Sequence, residues 1–296
     1  MTAGGQGAGG GAVTASGGFP LTAAWSGLVR RKAIWAVLGV WLVQALGFGV
    51  VLNQVLYRSM ASGDDASAET VAAMRESLLP GNFQEFAAGS MPFYGAAMAL
   101  ALGVLAVGGE YRAGTVRLLY TQGPGRRPVL GAQLVALAGM TGLMTLATYA
   151  VDYAGLAVAA AAQDWPIAAP PLGGTLISLG SSWLVTLAYG LLGAALAVLT
   201  RGTTLALAGG LAWALGLETV LIALGGQVGW LNGPAHGLLG GATSNLAVAN
   251  GAYPWWPNTL DQSVGVGAGW AAAGVLAAWA VACAAVALIA IKRRDI

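Results

Sequence analysis

The feature that most constrains this chain is the recurrence of apolar stretches of about 20 residues that contain almost no charged side chain. A helix needs about 20 such residues to cross a hydrocarbon core of about 30 Å. The stretches run continuously in Leu, Ala and Gly and lack the two-residue alternation of membrane barrels. Only 8% of the residues are charged, against about 25% in soluble domains. We therefore predict an all-α integral membrane protein.

Six stretches have the length and composition of membrane spans. Their predicted bounds are 33–57, 88–108, 129–151, 176–199, 203–225 and 267–291. The connection between the third and fourth spans is expected to contain Asp152, Asp164 and two consecutive prolines. Only Arg201 and Gly202 separate the fourth span from the fifth, so these two spans are expected to form a tight hairpin.

The N-terminal region differs in composition from the spans. Residues 1–19 are uncharged and rich in Gly, Ala and Ser, and they lack the basic start of a signal peptide. We predict a disordered tail here. Residues 20–32 have an apolar face that includes Trp25, and they end in basic residues. This pattern predicts a helix at the membrane surface. Residues 20–296 are predicted to form a single membrane domain.

The distribution of Lys and Arg predicts the orientation of the spans. With both termini inside, every basic residue except Arg58 and Arg75 faces the cytoplasm, as the positive-inside rule favours. The two exceptions fall in an acidic outer loop with helical stretches, residues 58–87. The abundance of Gly and Ala is typical of GC-rich coding, so we expect a multi-pass protein of a bacterial inner membrane.

A second outer segment, residues 227–266, contains the apolar sequence LLGGATSNLAVA, which is too short to cross the bilayer. It is flanked by Trp230, Trp255 and Trp256, and indole rings favour the membrane–water boundary. Two interpretations stay open. The segment forms helices that dip into the outer leaflet, or it is an ordered external loop.

The most charged part of the chain is the turn GGEYRAGTVRLLYTQGPGRR, residues 108–127, between the second and third spans. Residues 113–121 have a helical pattern with apolar side chains on one face, and Pro124 between two glycines breaks that helix. A short helix with an apolar face and basic corners suits docking into a groove on a soluble partner. The alternative is an ordinary basic loop that fixes topology.

The order of residues in EYRAGTVRLL…PGRRPVLGAQL resembles the coupling loop of type-2 permeases of ATP-binding-cassette (ABC) exporters. The six-span pattern, the surface helix before the first span and the outer segment before the last one are similar to that family too. The resemblance implies a coupling helix that sits in a cleft of an ATPase subunit. The residues predicted to couple to that ATPase are Glu110, Tyr111, Arg112, Gly114, Thr115, Arg117, Leu118, Pro124 and Arg126. Gln133 departs from the family, which often has Lys there.

The chain lacks the means to hydrolyse ATP alone. Its two lysines, Lys32 and Lys292, are not in a P-loop sequence. We therefore expect no enzyme activity, no catalytic residue and no cofactor or metal site in this chain, with ATP and Mg²⁺ entering through a partner. The resemblance implies an ATPase subunit and a second permease copy, here a homodimer, in a four-subunit complex. The lipid bilayer is the remaining expected partner, and we expect no nucleic acid.

Few polar residues occur within the predicted spans. Glu218 appears as the only carboxylate well inside one, so it is expected to face protein or a water-filled cavity. It would line the substrate pathway or anchor the outer helices, or else it is a neutral or snorkelling carboxyl. Gln44 and Asn53 are further candidates for the substrate pathway, with bonding between helices as the alternative.

The sequence therefore predicts the permease subunit of an ATP-driven exporter that moves a hydrophobic or amphipathic molecule outward. One alternative is an ATPase-independent transporter or channel. Another is a membrane immunity protein that sequesters a toxic compound. The sequence does not indicate which molecule is carried.

Overall fold

The computed structural model describes residues 21–63, 66–112, 126–225, 227–252 and 267–293, and their regular structure is entirely helical. The α-helices are α1 Leu21–Val29, α2 Lys32–Gln44, α3 Leu52–Ser62, α4 Ala68–Ser77, α5 Phe83–Ser90, α6 Ala96–Arg112, α7 Arg126–Ala161, α8 Leu172–Thr200, α9 Thr203–Leu211, α10 Glu218–Gly225, α11 Gly229–His236, α12 Leu239–Ala249 and α13 Gly267–Arg293. Three π-helical segments interrupt them, π1 Ala45–Val51, π2 Met91–Gly95 and π3 Ala212–Leu217, and Pro80–Asn82 forms a 3₁₀ turn.

Five helical stretches among the described residues are long and apolar enough to cross a membrane. They are Lys32–Ser62, Arg127–Ala161, Leu172–Thr200, Thr203–Gly225 and Gly269–Lys292. The second predicted span coincides in part with a shorter apolar helix, Ala96–Gly109, which follows π2. The prediction of an all-α chain with multiple membrane helices is confirmed. The count of six spans and the position of the termini stay predictions.

The helix of the third predicted span extends beyond residue 151, where the sequence predicted the span to end. Helix α7 continues to Ala161, so Asp152 lies inside a membrane-spanning candidate and not in a connection. The residues that follow Asp152 are mostly Ala, Leu, Val and Gly, and Ala and Leu have high helix propensity. One carboxylate does not end such a helix. Glu218 is consequently not the only acidic residue within the candidate spans.

The other helix ends agree more closely with the sequence. The first candidate span continues to Ser62, so the first outer loop does not begin at Arg58 as predicted. The tight hairpin is confirmed, because α8 ends at Thr200 and α9 begins at Thr203. Between them Arg201 takes a left-handed conformation with φ 55°, which reverses the chain within two residues.

The core of the bundle is the crossing of α6 and α8. A Cβ atom placed on Gly103 would overlap the carbonyl oxygen of Gly190, and one placed on Gly193 would overlap that of Leu100. The two backbones therefore touch, as small residues allow between membrane helices. This confirms that the glycines at 190 and 193 serve packing. The side chains of Leu100 and Leu102, both 0% exposed, fill the core beside the crossing.

The remaining helices pack around this pair. Helix α7 lies against α8, and α9 lies against both α6 and α8. The N-terminal helix α1 packs on α7, where the Trp25 ring lies 3.0 Å from the position of a Cβ on Gly139. The predicted helix at 20–32 is thus present as the shorter α1. Its position at a membrane surface stays a prediction, as does the tail at 1–19, which lies outside the described residues.

Helix α12 is formed by the apolar sequence LLGGATSNLAVA and lies within the protein. It packs against α13, α5, α8 and π2, and the side chains of Leu239, Ala242 and Thr243 are 0% exposed. The sequence therefore forms a short buried helix, while its depth in the outer leaflet stays a prediction. Trp255 and Trp256 lie outside the described residues.

The α6–α8 crossing leads to a prediction that uses two glycines of the same helix. Gly193→Ala is expected to lower the free energy of unfolding by about 1–3 kcal/mol or more, because the new Cβ overlaps backbone atoms and not a movable side chain. Gly180→Ala is the matched control, because a Cβ at Gly180 meets nothing within 4 Å. Thermal unfolding in detergent, followed by size-exclusion chromatography, compares the two variants. Equal melting temperatures for both would contradict the described contact.

Candidate functional site

A largely apolar cavity of about 490 Å³ lies between α2, α6, α9 and π3. Its walls include Met98 and Ala101 of α6, Leu211 of α9 and Leu215 of π3. Gln44, at the end of α2, is the one polar side chain in the lining. A volume of this size, apolar with a single polar group, is typical of sites for small organic ligands.

The amide of Gln44 gives the cavity its only hydrogen-bonding group. Its Oε1 atom is buried and has no hydrogen-bond partner among the described residues. A buried acceptor without a partner is unfavourable by about 1–3 kcal/mol. A ligand in the cavity that donates a hydrogen bond would reach this oxygen only after a movement of the Gln44 side chain.

Each of the three π-helical segments adjoins this cavity in the chain. Gln44 directly precedes π1, Ala97 lies two residues beyond the end of π2, and Leu215 belongs to π3. Single-turn π segments inside α-helices occur frequently at functional sites. The cavity wall is thus formed where three membrane helices depart from regular α-geometry.

The cavity lies between two candidate spans that the rest of the protein covers only in small part. In the most apolar windows of Lys32–Ser62 and Thr203–Gly225, 28% and 22% of the residues are buried, against 61% for Leu172–Thr200. Large apolar side chains are exposed beside the cavity, for example Val40 at 51% and Val43 at 71%. A bilayer or another protein must cover this surface.

Asn53 does not line the cavity. Its Nδ2 atom donates to the carbonyl oxygens of Phe48 at 3.0 Å and Gly49 at 2.7 Å, both in π1. Asn53 therefore stabilises the wider turn of its own helix, and a role in the substrate pathway stays a prediction. The neighbouring Gln54 bonds to the turn that follows α7, because its Oε1 accepts from Nε2 of Gln163 at 2.9 Å.

Glu218 is fully buried and anchors α12 to α10. Its Oε1 atom accepts a hydrogen bond from the backbone N–H of Gly240 at 2.7 Å. Gly240 is the second residue of α12. The side chain of Leu238, the residue before the helix begins, does not cap it. A carboxylate at a helix N-terminus bonds an otherwise unpaired N–H group and is favoured by the helix dipole. The structure thus supports the anchoring interpretation of Glu218, which lies outside the cavity lining.

The residues predicted to couple to an ATPase are only partly described. Glu110, Tyr111 and Arg112 are the last three residues of α6, and Arg126 is the first of α7. The rest of the predicted coupling set lies outside the described residues: Gly114, Thr115, Arg117, Leu118 and Pro124. The coupling helix predicted at 113–121 therefore stays a prediction.

Sequence reasoning missed a contact close to this loop. The Nη1 atom of Arg31 donates to the carbonyl oxygens of Leu105 at 2.8 Å and Ala106 at 3.0 Å. The same nitrogen lies 2.8 Å from the position of a Cβ on Gly109. Arg31 thus fastens the junction of α1 and α2 to α6, one turn before Glu110. A contact across 74 residues leaves no local signal in the sequence.

Comparison with known families agrees with this architecture. The family model described as ABC-2 family transporter protein matches residues 25–296.

The chain belongs to the ABC-2 transporter family.

It is therefore a transport permease, and the resemblance inferred from the charged turn is confirmed at the level of the family. The match begins within α1 and reaches the last residue, Ile296, so it includes the cavity, α12 and the charged turn. No curated protein matches the chain.

The contact between Glu218 and Gly240 can be tested with a pair of substitutions. Glu218→Ala removes the acceptor and is expected to lower the free energy of unfolding of the permease by about 1–3 kcal/mol. Glu218→Gln retains an oxygen that accepts from the same N–H, so it should lose less. Thermal unfolding and hydrogen exchange of the α12 amides measure both effects.

Glu69→Ala serves as the control for this pair, because Glu69 is an exposed carboxylate of α4. Unchanged exchange of α12 in Glu218→Ala would show that the contact does not anchor the helix.

Proposed function

We propose that this permease is the membrane-spanning subunit of an ATP-driven exporter that carries a hydrophobic or amphipathic molecule outward. The observation that carries the proposal is the match of the ABC-2 family over residues 25–296. ATP and Mg²⁺ would act in a separate ATP-binding-cassette ATPase subunit. In this proposal the membrane is a bacterial inner membrane, with both termini in the cytoplasm.

The chemistry of the cavity supports an apolar or amphipathic cargo. Its lining is aliphatic apart from Gln44, and no Lys, Arg, Asp or Glu side chain takes part in it. Moving a charged molecule through such a lining would require its desolvation without compensating charge. An apolar cargo with one hydrogen-bonding group meets both the aliphatic walls and the unpaired amide oxygen.

The position of the cavity supports a dimer of permeases. It lies between Lys32–Ser62 and Thr203–Gly225, two candidate spans that leave large apolar side chains uncovered. Examples are Val43 and Leu205, which are 71% and 70% exposed. In the proposed complex a second copy of this chain covers that side, and the two cavities meet at the two-fold axis. Two ATPase subunits complete a four-subunit assembly.

The coupling of ATP hydrolysis to transport is proposed to pass through the charged turn. Helix α6 contributes to the cavity with Met98 and Ala101 and ends with Glu110–Arg112, the start of the proposed coupling residues. A movement of the turn would therefore reach the cavity along a single helix. The hydrogen bonds of Arg31 to α6 would carry the same movement to α1 and α2.

Purification of the tagged permease, expressed together with its neighbouring genes, tests the proposed assembly. An ATPase subunit recovered in equal amounts in mild detergent is the expected result. A homo-oligomer without any ATPase under these conditions would favour an independent channel or a sequestering protein.

Substitutions in the charged turn test the coupling. Glu110→Ala and Gly114→Pro are expected to reduce ATP-driven transport at least tenfold while membrane insertion and ATP hydrolysis continue. Lys292→Ala is the control, since it removes a charge that is also predicted to be cytoplasmic but lies at the other end of the chain. Reconstituted permease–ATPase complexes allow transport and phosphate release to be measured together. Transport at the wild-type rate in both variants would overturn the assignment of the coupling loop.

Filling the cavity tests its role in transport. Ala101→Phe places a ring in the cavity and should reduce the rate of substrate transport severalfold without unfolding the permease. Ala277→Phe is the matched control, because Ala277 is exposed on α13, away from the cavity lining. The measurement is the initial rate of transport into inverted vesicles. Equal rates for the two variants would show that cargo does not pass through this cavity.

A further inference from the structure

Asp152 of α7 is an acidic side chain within the membrane-spanning candidates that the proposed transport route does not use. It is 0% exposed, and neither carboxylate oxygen has a hydrogen-bond partner among the described residues. It lies beside Gly49 of π1 and Phe86 of α5, and it is not part of the cavity lining.

Among the residues that the structure describes, the elements around Asp152 offer no positive charge to balance it. Segment π1 has no titratable residue, and the facing part of α8 contributes the hydroxyls of Ser178 and Ser182. The one acidic residue of α5 is Glu85, which lies against Gly251. On α7 itself the titratable neighbours are tyrosines 149 and 153. An ionised carboxylate in these apolar surroundings would be strongly unfavourable.

On the side of Gly49, little space is left beside the Asp152 carboxyl group. A Cβ atom placed on Gly49 would lie 3.6 Å from Oδ1 of Asp152 and 3.3 Å from the Phe86 ring. A single added carbon atom would already be in tight contact there. Metal cations need several oxygen ligands, and no group of three or more His, Cys, Asp or Glu side chains suited to a metal occurs among the described residues.

We propose that Asp152 is a proton-binding site of the membrane domain, which holds its proton while α7 packs against Gly49 and Phe86. The proton adds to one carboxylate oxygen and removes the negative charge. It fits in the space that the packed side chains leave. Separation of α7 from π1 would admit water and release the proton.

A cluster of hydroxyl groups leads from this site towards a connection between helices. Tyr149 lies three residues before Asp152, so the two side chains share a face of α7. The Tyr149 hydroxyl is within 2.6 Å of Ser178 Oγ and 2.9 Å of Ser182 Oγ. Ser178 donates to the backbone carbonyl oxygen of Gln84 at 3.2 Å. The half-buried Thr175 donates to the side-chain Oε1 of Gln84 at 3.1 Å. This cluster is not hydrogen-bonded to Asp152, so a proton released there would first need water to enter between Asp152 and Tyr149.

Infrared spectroscopy of the purified full-length permease in lipid nanodiscs tests the proposal without any transport assay. A protonated carboxyl group has a carbonyl stretching band that an ionised carboxylate lacks. Wild-type permease at neutral pH is expected to have such a band, and Asp152→Asn is expected to lose the part of its intensity that comes from Asp152. Glu218→Gln, which alters the other buried carboxyl group, is the matched control and should retain the Asp152 band.

The thermal stability of the same variants gives a second readout. The Asn side chain has the shape of the protonated acid and carries no charge, so Asp152→Asn should fold and melt at the wild-type temperature or above it. Absence of the band in Glu218→Gln, or a band of undiminished intensity in Asp152→Asn, would overturn the proposal. A large loss of stability in Asp152→Asn would overturn it too, because it would mean that the ionised form has a favourable partner.

Discussion

The close crossing of α6 and α8 is the contact on which the rest of the bundle depends. Where Gly103 meets Gly190 and Gly193 meets Leu100, only hydrogen atoms separate the two backbones. In a membrane, the hydrophobic effect gives little force between helices, so packing of this kind supplies much of the attraction. Helix α6 forms one wall of the cavity, and α8 supports α7, α9 and α13. A shift at the crossing would therefore move every element of the candidate site.

Buried polar groups in this permease fall into two classes. In the first class each group meets a backbone or hydroxyl partner, as Glu218 does at Gly240 and Asn53 does at the carbonyl groups of π1. These groups hold elements together and explain why polar residues are tolerated at membrane depth. In the second class an oxygen has no partner among the described residues, as in Gln44, Asp152 and the second carboxylate oxygen of Glu218. For two of these residues, Gln44 and Asp152, we propose a ligand or a proton as the partner.

Much of the architecture could be predicted from the sequence, because a membrane span is recognisable from the composition of about 20 consecutive residues. The uncharged stretches, the hairpin at Arg201 and the packing role of Gly190 all follow from local pattern. Asp152 was assigned to a loop because a carboxylate resembles the end of a span, although the apolar residues after it continue the helix. Contacts between distant residues, such as that of Arg31 with Leu105, have no pattern to reveal them.

The candidate site was less predictable than the fold. Gln44 was selected as a polar residue in an apolar span, and the structure places it in a cavity wall. Asn53 was selected by the same criterion, yet it bonds to its own helix, since π1 leaves carbonyl groups that need a donor. Neither the π-helical segments nor the cavity that they adjoin has a composition distinct from ordinary membrane helix. Residue type alone therefore could not separate a residue of the cavity from a residue that stabilises a helix.

The π segment in the first membrane helix has a consequence for the angular position of everything beyond it. Each residue of an α-helix turns the chain by about 100°, and a π turn takes in one residue more than an α turn. Without π1, the helix after Val51 would face a direction about 100° away, and Gln54 would point away from Gln163. The first half of this helix can thus present Gln44 to the cavity while the second half bonds to the turn after α7. One additional residue lets a single membrane helix serve two neighbours on different sides.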